Sequence, residues 1–214
     1  MFDQIDPYTI LSRATVLLFA IVVHECAHGF IAEKLGDPTA RLEGRITLNP
    51  IPHIDLFGTI ILPLMTMLTG SPFGYAKPVP VTTTNLRNPR WDSVWVSLAG
   101  PASNFSLALV CAAVLAVVQR SAGVSLSEFL VPLLWSAVLI NVILGVFNLI
   151  PIPPLDGSWI LMGVLPLNLA IRYSQIRPYG FIILFALMWT GMISRIMHWP
   201  ATMLLGIFQS IATL

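Results

Sequence analysis

Hydrophobic residues are arranged along this chain in long blocks broken by short polar connections. Ser93 to Gln119 and Phe129 to Leu155 carry no charged residue, and a helix needs roughly 20 largely apolar residues to cross a bilayer. Both therefore predict membrane-crossing helices. Pro178 to Ser194 is about long enough with its flanks. Ile196 to Leu214 is apolar but opens on His198-Trp199-Pro200, and its pattern fits a crossing, a re-entrant turn or an interfacial helix alike. Near the N-terminus, Thr9 to Leu35 is helical in character and apolar from Ala14 to Val23. It then places His24, Glu25 and His28 where a lipid-facing helix carries no such groups. No small-residue cleavage site follows the apolar run, so it reads as a retained helix and not as a removable signal. Leu56 to Leu68 is shorter, contains Gly58 and Pro63, and runs into Thr69-Gly70-Ser71-Pro72, a pattern of a re-entrant or buried segment.

A different period appears between the first helix and the next crossing. In Arg41 to Leu48, the residues Leu42, Ile46 and Leu48 alternate with Arg41, Glu43, Arg45 and Thr47, as in a half-buried strand. Lys77-Pro78-Val79-Pro80-Val81 reads as extended too, its prolines confining it to a sheet edge. No internal repeat or low-complexity segment interrupts the chain.

Composition strengthens the membrane reading. Of 214 residues, 56% are hydrophobic and only 10% charged, with a mean hydropathy of +0.83, whereas soluble domains carry about 25% charged residues. A net charge of +1 with no basic block excludes a nucleic-acid-binding role. Lys34, Arg41, Arg45, Lys77, Arg87, Arg90, Arg172 and Arg177 fall on one side of the membrane if Leu56 to Leu68 does not cross. Arg13, Arg120 and Arg195 fall on the other. That asymmetry predicts the N-terminus outside and the richer face in the cytoplasm. Cys26 and Cys111 both lie in apolar stretches and read as small buried residues, without a disulfide framework.

The chemistry sits inside the first apolar helix. His24-Glu25-Cys26-Ala27-His28 is an HExxH motif. On a helix, positions i and i+4 share a face, so two imidazoles can hold one zinc ion, and the adjacent carboxylate of Glu25 can take a proton from activated water. Ionisable groups inside a span are functional by default, which sets aside a reading as snorkelling polar residues at a helix end. A catalytic zinc takes three protein ligands and keeps one position open. Asp156 is the best third candidate, because Pro151, Pro153 and Pro154 break a long apolar span just before Asp156-Gly157 and can turn the carboxylate inward. The competing reading is a turn aspartate at the membrane surface. His53, His198 and Asp55 are weaker rivals.

These residues, with Gly100-Pro101-Ala102-Ser103-Asn104 in a later span and Asn148 ahead of Leu155-Asp156-Gly157, resemble the site-2 protease family of intramembrane zinc metalloproteases. Leu48-Asn49-Pro50 and Phe73-Gly74-Tyr75-Ala76-Lys77-Pro78-Val79-Pro80 are similar to its compact prokaryotic branch. The likeness covers roughly residues 15 to 165, in the family's order. It implies His24, His28 and Asp156 as ligands of one Zn2+ and Glu25 as the catalytic base. It further implies that Asn148 stabilises the reacting carbonyl and that Asn104 positions substrate. Read from the residues alone, the two asparagines serve equally well as interhelical hydrogen-bond partners. The implied substrates are membrane-anchored proteins such as transcription-factor precursors, anti-sigma factors or signal-peptide remnants. No inserted PDZ-like domain or pair of nucleotide-sensing repeats is visible.

The expected fold is thus mainly α: a polytopic membrane helical bundle with a small β element near the active site. It forms one integral unit over residues 1–214, with a catalytic core of about 9–165 and accessory spans of about 178–214. Its expected partners are transmembrane substrates and membrane lipid, and its expected place is the prokaryotic inner membrane with the site toward the cytoplasm. The strand edges around Arg41 to Leu48 and Lys77 to Val81 can hold an unwound substrate by strand addition, or form a hairpin that covers the site. A metal transporter could also use intramembrane His, Asp and Asn, but needs no glutamate beside the first histidine and usually shows paired broken helices. An inactive binder of transmembrane helices has no need of the whole His24, Glu25, His28 and Asp156 set.

Overall fold

The structure, a computed structural model, describes residues 7–55, 77–121 and 124–213. The expected re-entrant segment Leu56 to Leu68 lies outside the described residues. Helix α1 runs over Pro7–Lys34, the single-turn α2 over Thr39–Leu42, α3 over Pro89–Ser121 and α4 over Val124–Asn148. The chain continues with α5 (Asp156–Val164), α6 (Leu167–Ser174), α7 (Gly180–Trp189) and α8 (Met192–Ala212). The stretches Thr9–Lys34, Pro89–Ser121 and Glu128–Asn148 are long and apolar enough to cross a membrane.

Helix α3 is the centre of the bundle, touching α1, α4, α5 and α8. It begins at Pro89, where a missing N–H is no loss, and Asp92 in its first turn accepts the N–H of Asn88 at 2.7 Å. Ala108 and Ala112, one turn apart and fully buried, pack with Val138, Val142 and Phe208 to join α3, α4 and α8. Small side chains at that spacing bring helices close where lipid offers no hydrophobic drive. Ile150, Leu155, Leu184 and Ile193 form a second apolar cluster around the chain that leads into α5.

One expectation is corrected. The small β element is absent among the described residues. Arg41 to Leu48 begins in α2, the N–H groups of Gly44 and Arg45 close back on Arg41 and Ala40, and Gly44 supplies the left-handed turn at φ +64°. The N–H groups of Leu42 to Arg45 are thus satisfied locally and are not free for a ladder. The alternating pattern also misreads burial: Leu42 is 80% exposed while Arg45 is 6% exposed. Lys77 to Val81 forms no strand either. Its prolines lack donors, its Lys77 N–H goes to His53 O, and Arg45 Nη2 donates to the carbonyls of Lys77 and Pro78 at 2.8 and 3.3 Å. Pro178 to Ser194, with its flanks, belongs to a bent pair of helices that together are long and apolar enough for a crossing. Helix α7 covers only 10 of those residues, about 15 Å, and the helical stretches Leu167–Trp189 and Met192–Ala212 meet at 79°.

Candidate metal centre

His24 and His28 lie one turn apart on the face of α1 that packs against α3. Both are buried, at 5% and 8% exposure. Asp156 arrives from the opposite direction. Pro151, Pro153 and Pro154 cannot continue α4, and Leu155 is extended (φ −67°, ψ 156°), so a new helix starts with Asp156 at its head. The return is tight: a Cβ on Gly157 would stand 2.3 Å from Leu149 O. The Asp-Gly pair therefore serves close packing of this return as well as the turn.

The result is a convergence of three ligand-type atoms. His24 Nε2 and His28 Nε2 are 3.0 Å apart. Asp156 Oδ2 lies 3.1 Å from His24 Nε2, and its Oδ1 lies 3.3 Å from His28 Nε2. Among the described residues this is the one group of three His, Cys, Asp or Glu side chains that gathers so closely. Glycine is required beside it, because a Cβ on Gly100 of α3 would fall 2.5 Å from both rings.

Hydrogen bonds at the far side of each ring decide what these nitrogens can do. His28 Nδ1 lies 2.7 Å from the carbonyl of Val96, which only accepts, so Nδ1 carries the proton. His24 Nδ1 lies 2.7 Å from Asn104 Oδ1, again an acceptor. Both Nε2 atoms are then left with lone pairs, aimed at one another and at a carboxylate. Two lone pairs and a carboxylate crowded together in an apolar bundle repel unless a cation lies among them. The donor set, two imidazoles and one carboxylate with room kept clear by Gly100, fits zinc with an open position. Each ligating histidine also has the outer partner that such sites use.

Glu25 is adjacent in sequence, and its Oε2 accepts the N–H of Val79 at 2.7 Å. Asn104 is fully buried, with its carbonyl on His24 and its amide nitrogen on Asn141 and Ala20. It therefore faces a ring of the triad from inside the bundle. Asn148 closes α4 and turns its Nδ2 back to Leu144 O at 3.0 Å. His53 is buried away from the triad with Nε2 on Thr47 O, and His198 lies on α8. Both cysteines are free thiols. Two residues escaped the sequence reading. Asn141 stands in a charge-free span as plainly as Asn148 does, and its polarity there was the signal. Asp37, fully buried, gave no signal beyond its place after a helix. Burial raises the Asp37 pKa, but hydrogen bonds from Thr39, Asn85 and the Thr82 N–H outweigh it and hold the carboxyl below the usual range.

An apolar helical bundle with a buried His-His-Asp cluster is an arrangement able to hold a metal ion among membrane-crossing helices. The chain belongs to peptidase family M50, whose model matches residues 12–131 and 117–191. It is 37% identical over 199 residues to "Putative zinc metalloprotease YwhC" of Bacillus subtilis (strain 168), covering 91% of this chain and 85% of that one. It is 29% identical over 182 residues to Rip2 of Mycolicibacterium smegmatis, which carries the same printed description, covering 83% and 66%. Zinc metalloprotease MJ0392 of Methanocaldococcus jannaschii is 28% identical over 151 residues, covering 70% and 33%. No solved structure matches the chain.

Proposed function

We propose that this chain is an intramembrane zinc metalloprotease that hydrolyses peptide bonds within or near transmembrane segments of membrane-anchored proteins. The observation that carries this reading is the convergence of His24 Nε2, His28 Nε2 and Asp156, with both Nδ1 protons already committed elsewhere. The relatives' names and the family support it.

His24, His28 and Asp156 would hold one zinc ion. When bound, zinc supplies Lewis acidity toward a peptide carbonyl and toward water. Glu25 takes the proton of the attacking water and returns it to the leaving amide nitrogen. The Val79 N–H orients the Glu25 carboxylate for this and lets its other oxygen face the reaction. Asn148 assists the reacting carbonyl with the second hydrogen of its Nδ2. Asn104, fully buried, accepts from His24 Nδ1, and its part in positioning substrate acts through that ring. The 77–81 segment serves as a cover braced by Arg45 and Glu25. Its committed backbone groups leave little edge for strand addition.

Lys34, Arg41 and Arg45 gather at the end of α1 beyond His28, which supports an inner-membrane orientation with the site toward the cytoplasm. The substrates are single-span regulators or signal-peptide remnants whose helix unwinds before attack, because an intact helix hides its peptide groups in its own hydrogen bonds.

The test is cleavage of a panel of single-span substrates by the purified full chain in detergent. Fragments cut inside the span are expected from the native chain. Glu25→Gln lowers their rate by about 10²–10⁴-fold, and a zinc chelator abolishes them. Fragments that survive both treatments would exclude this mechanism.

A further inference from the structure

Beyond the zinc-binding triad and its base, a buried relay of two asparagines on α3 and α4 leads to His24, and its outer member has no role so far. Asn141 is 3% exposed and lies on the face of α4 toward α3. Its Nδ2 donates to Ala137 O at 2.9 Å. Its Oδ1 accepts from Asn104 Nδ2 at 2.9 Å. Asn104 Nδ2 also donates, more weakly, to Ala20 O at 3.3 Å, and Asn104 Oδ1 faces His24 Nδ1 at 2.7 Å.

The polarity of this relay is fixed at its far end. Ala137 O is a backbone carbonyl and can only accept, so the Asn141 amide must turn its nitrogen there and its oxygen toward Asn104. That oxygen in turn requires the nitrogen of Asn104, which leaves the oxygen of Asn104 for His24. An amide oxygen on Nδ1 requires Nδ1–H, and the lone pair then falls on Nε2, facing Asp156 and His28. With either amide reversed, oxygen would oppose oxygen, or an N–H would oppose Nδ1 and move the ring proton to Nε2, where it blocks ligation.

We propose that Asn141 is a positioning residue that fixes the orientation of the Asn104 amide, and through it the metal-ligating tautomer of His24. The inference rests on the reading of the triad as a zinc site. His28 needs no such device, because a backbone carbonyl that cannot be reversed holds its Nδ1. His24 is held by a side-chain amide that could flip, and without Asn141 only the 3.3 Å contact to Ala20 O opposes the flip.

The test uses the full chain in detergent and reads zinc affinity by chelator competition, together with 15N signals of His24 in the zinc-free protein. Asn141→Leu removes the acceptor and is expected to weaken zinc binding by about 10–100-fold, the range for losing an outer partner of a ligand, with a rise in the Nε2–H tautomer of His24. Asn141→Asp is expected to stay within about threefold of the native affinity, on the same scale. Protonated in this apolar setting, its hydroxyl replaces Nδ2 toward Ala137 O and its carbonyl replaces Oδ1 toward Asn104. A folded Asn141→Leu chain with native affinity and tautomer overturns the proposal, and so does equal weakening in both variants. If Asn141→Leu does not fold, the native chain decides: Nδ1–H on zinc-free His24 supports the relay, and Nε2–H overturns it. Native zinc affinity in His28→Ala would instead overturn the metal-site reading itself.

Discussion

The cluster around His24 and the cluster around Asp37 both bury polar groups, yet they are built in opposite ways. His24, His28, Asn104 and Asn141 all stand on long helices, where rise and rotation set their spacing and neighbouring turns lock their rotamers. The Asp37 carboxylate instead gathers loop groups far apart in sequence. It accepts the N–H of Thr82 at 2.6 Å, an amide proton of Asn85 at 2.9 Å, and both the N–H and the hydroxyl of Thr39. In the proposed mechanism the first cluster gives the metal-holding side chains their precision. The second ties the end of α1 to the segment that presents the Val79 N–H to Glu25. If the triad holds zinc and Glu25 is the base, as proposed, the scaffold separates holding the metal from aiming the base, and damage to the two should look different.

Gly100→Ala should show the largest effect on the first cluster. Its Cβ would intrude to 2.5 Å from both rings, and zinc affinity is expected to fall by about 100-fold, the upper end of what ligand misplacement costs. Gly206→Ala on α8 meets nothing within 4 Å and should bind zinc as the native chain does. Equal affinities in the two variants, measured by chelator competition, would break the idea that α3 keeps the metal's place clear.

Asp37→Ala comes next, and should divide the clusters. Removing the acceptor strands donors of the half-buried Thr39 and Thr82 and of the exposed Asn85, at a cost of about 1 kcal/mol, seen as a Tm lowered by a few degrees. Substrate turnover should fall while zinc affinity stays unchanged. A loss of zinc affinity as large as that of Gly100→Ala would show that the two clusters are one unit.

The smallest effect is on pH dependence. The folded-state pKa of Asp37 is depressed, so its contribution is fully present above the ordinary carboxylate value of about 4 and disappears as pH falls through the folded value. The Tm gap between the native chain and Asp37→Ala should therefore hold steady from neutral pH down to about 5 and narrow below about 4. A gap that widens on acidification would reverse the assignment.

The same contrast explains what could be read from the sequence. The helical cluster was legible because its signals are local: His24 and His28 share a face by periodicity alone, and the prolines before Asp156 announce a broken span. The role of Asn104 was not legible. An asparagine in a span advertises a hydrogen bond but not its partner, and that partner is 80 residues away. The loop cluster around Asp37 gave no signal, and the neighbouring Arg41 to Leu48 was misread as a strand, since alternation of Leu42, Ile46 and Leu48 looks the same whether it faces a core or not. What decides between them is the single helical turn of α2 and the turn at Gly44, whose backbone bonds engage the N–H groups of Leu42 to Arg45 before a ladder could.

Helix α1 also serves as a depth gauge. His24 is 10 residues from Lys34 and 15 from Thr9 in a span of 26 residues, which at 1.5 Å per residue puts it about 15 Å from the basic end and about 22 Å from the other. A hydrolase consumes one water per turnover, and the hydrocarbon around this one holds almost none. The shorter distance to the aqueous phase is on the side of Lys34. Delivery of water to that depth is a requirement on turnover separate from the quality of the ligands.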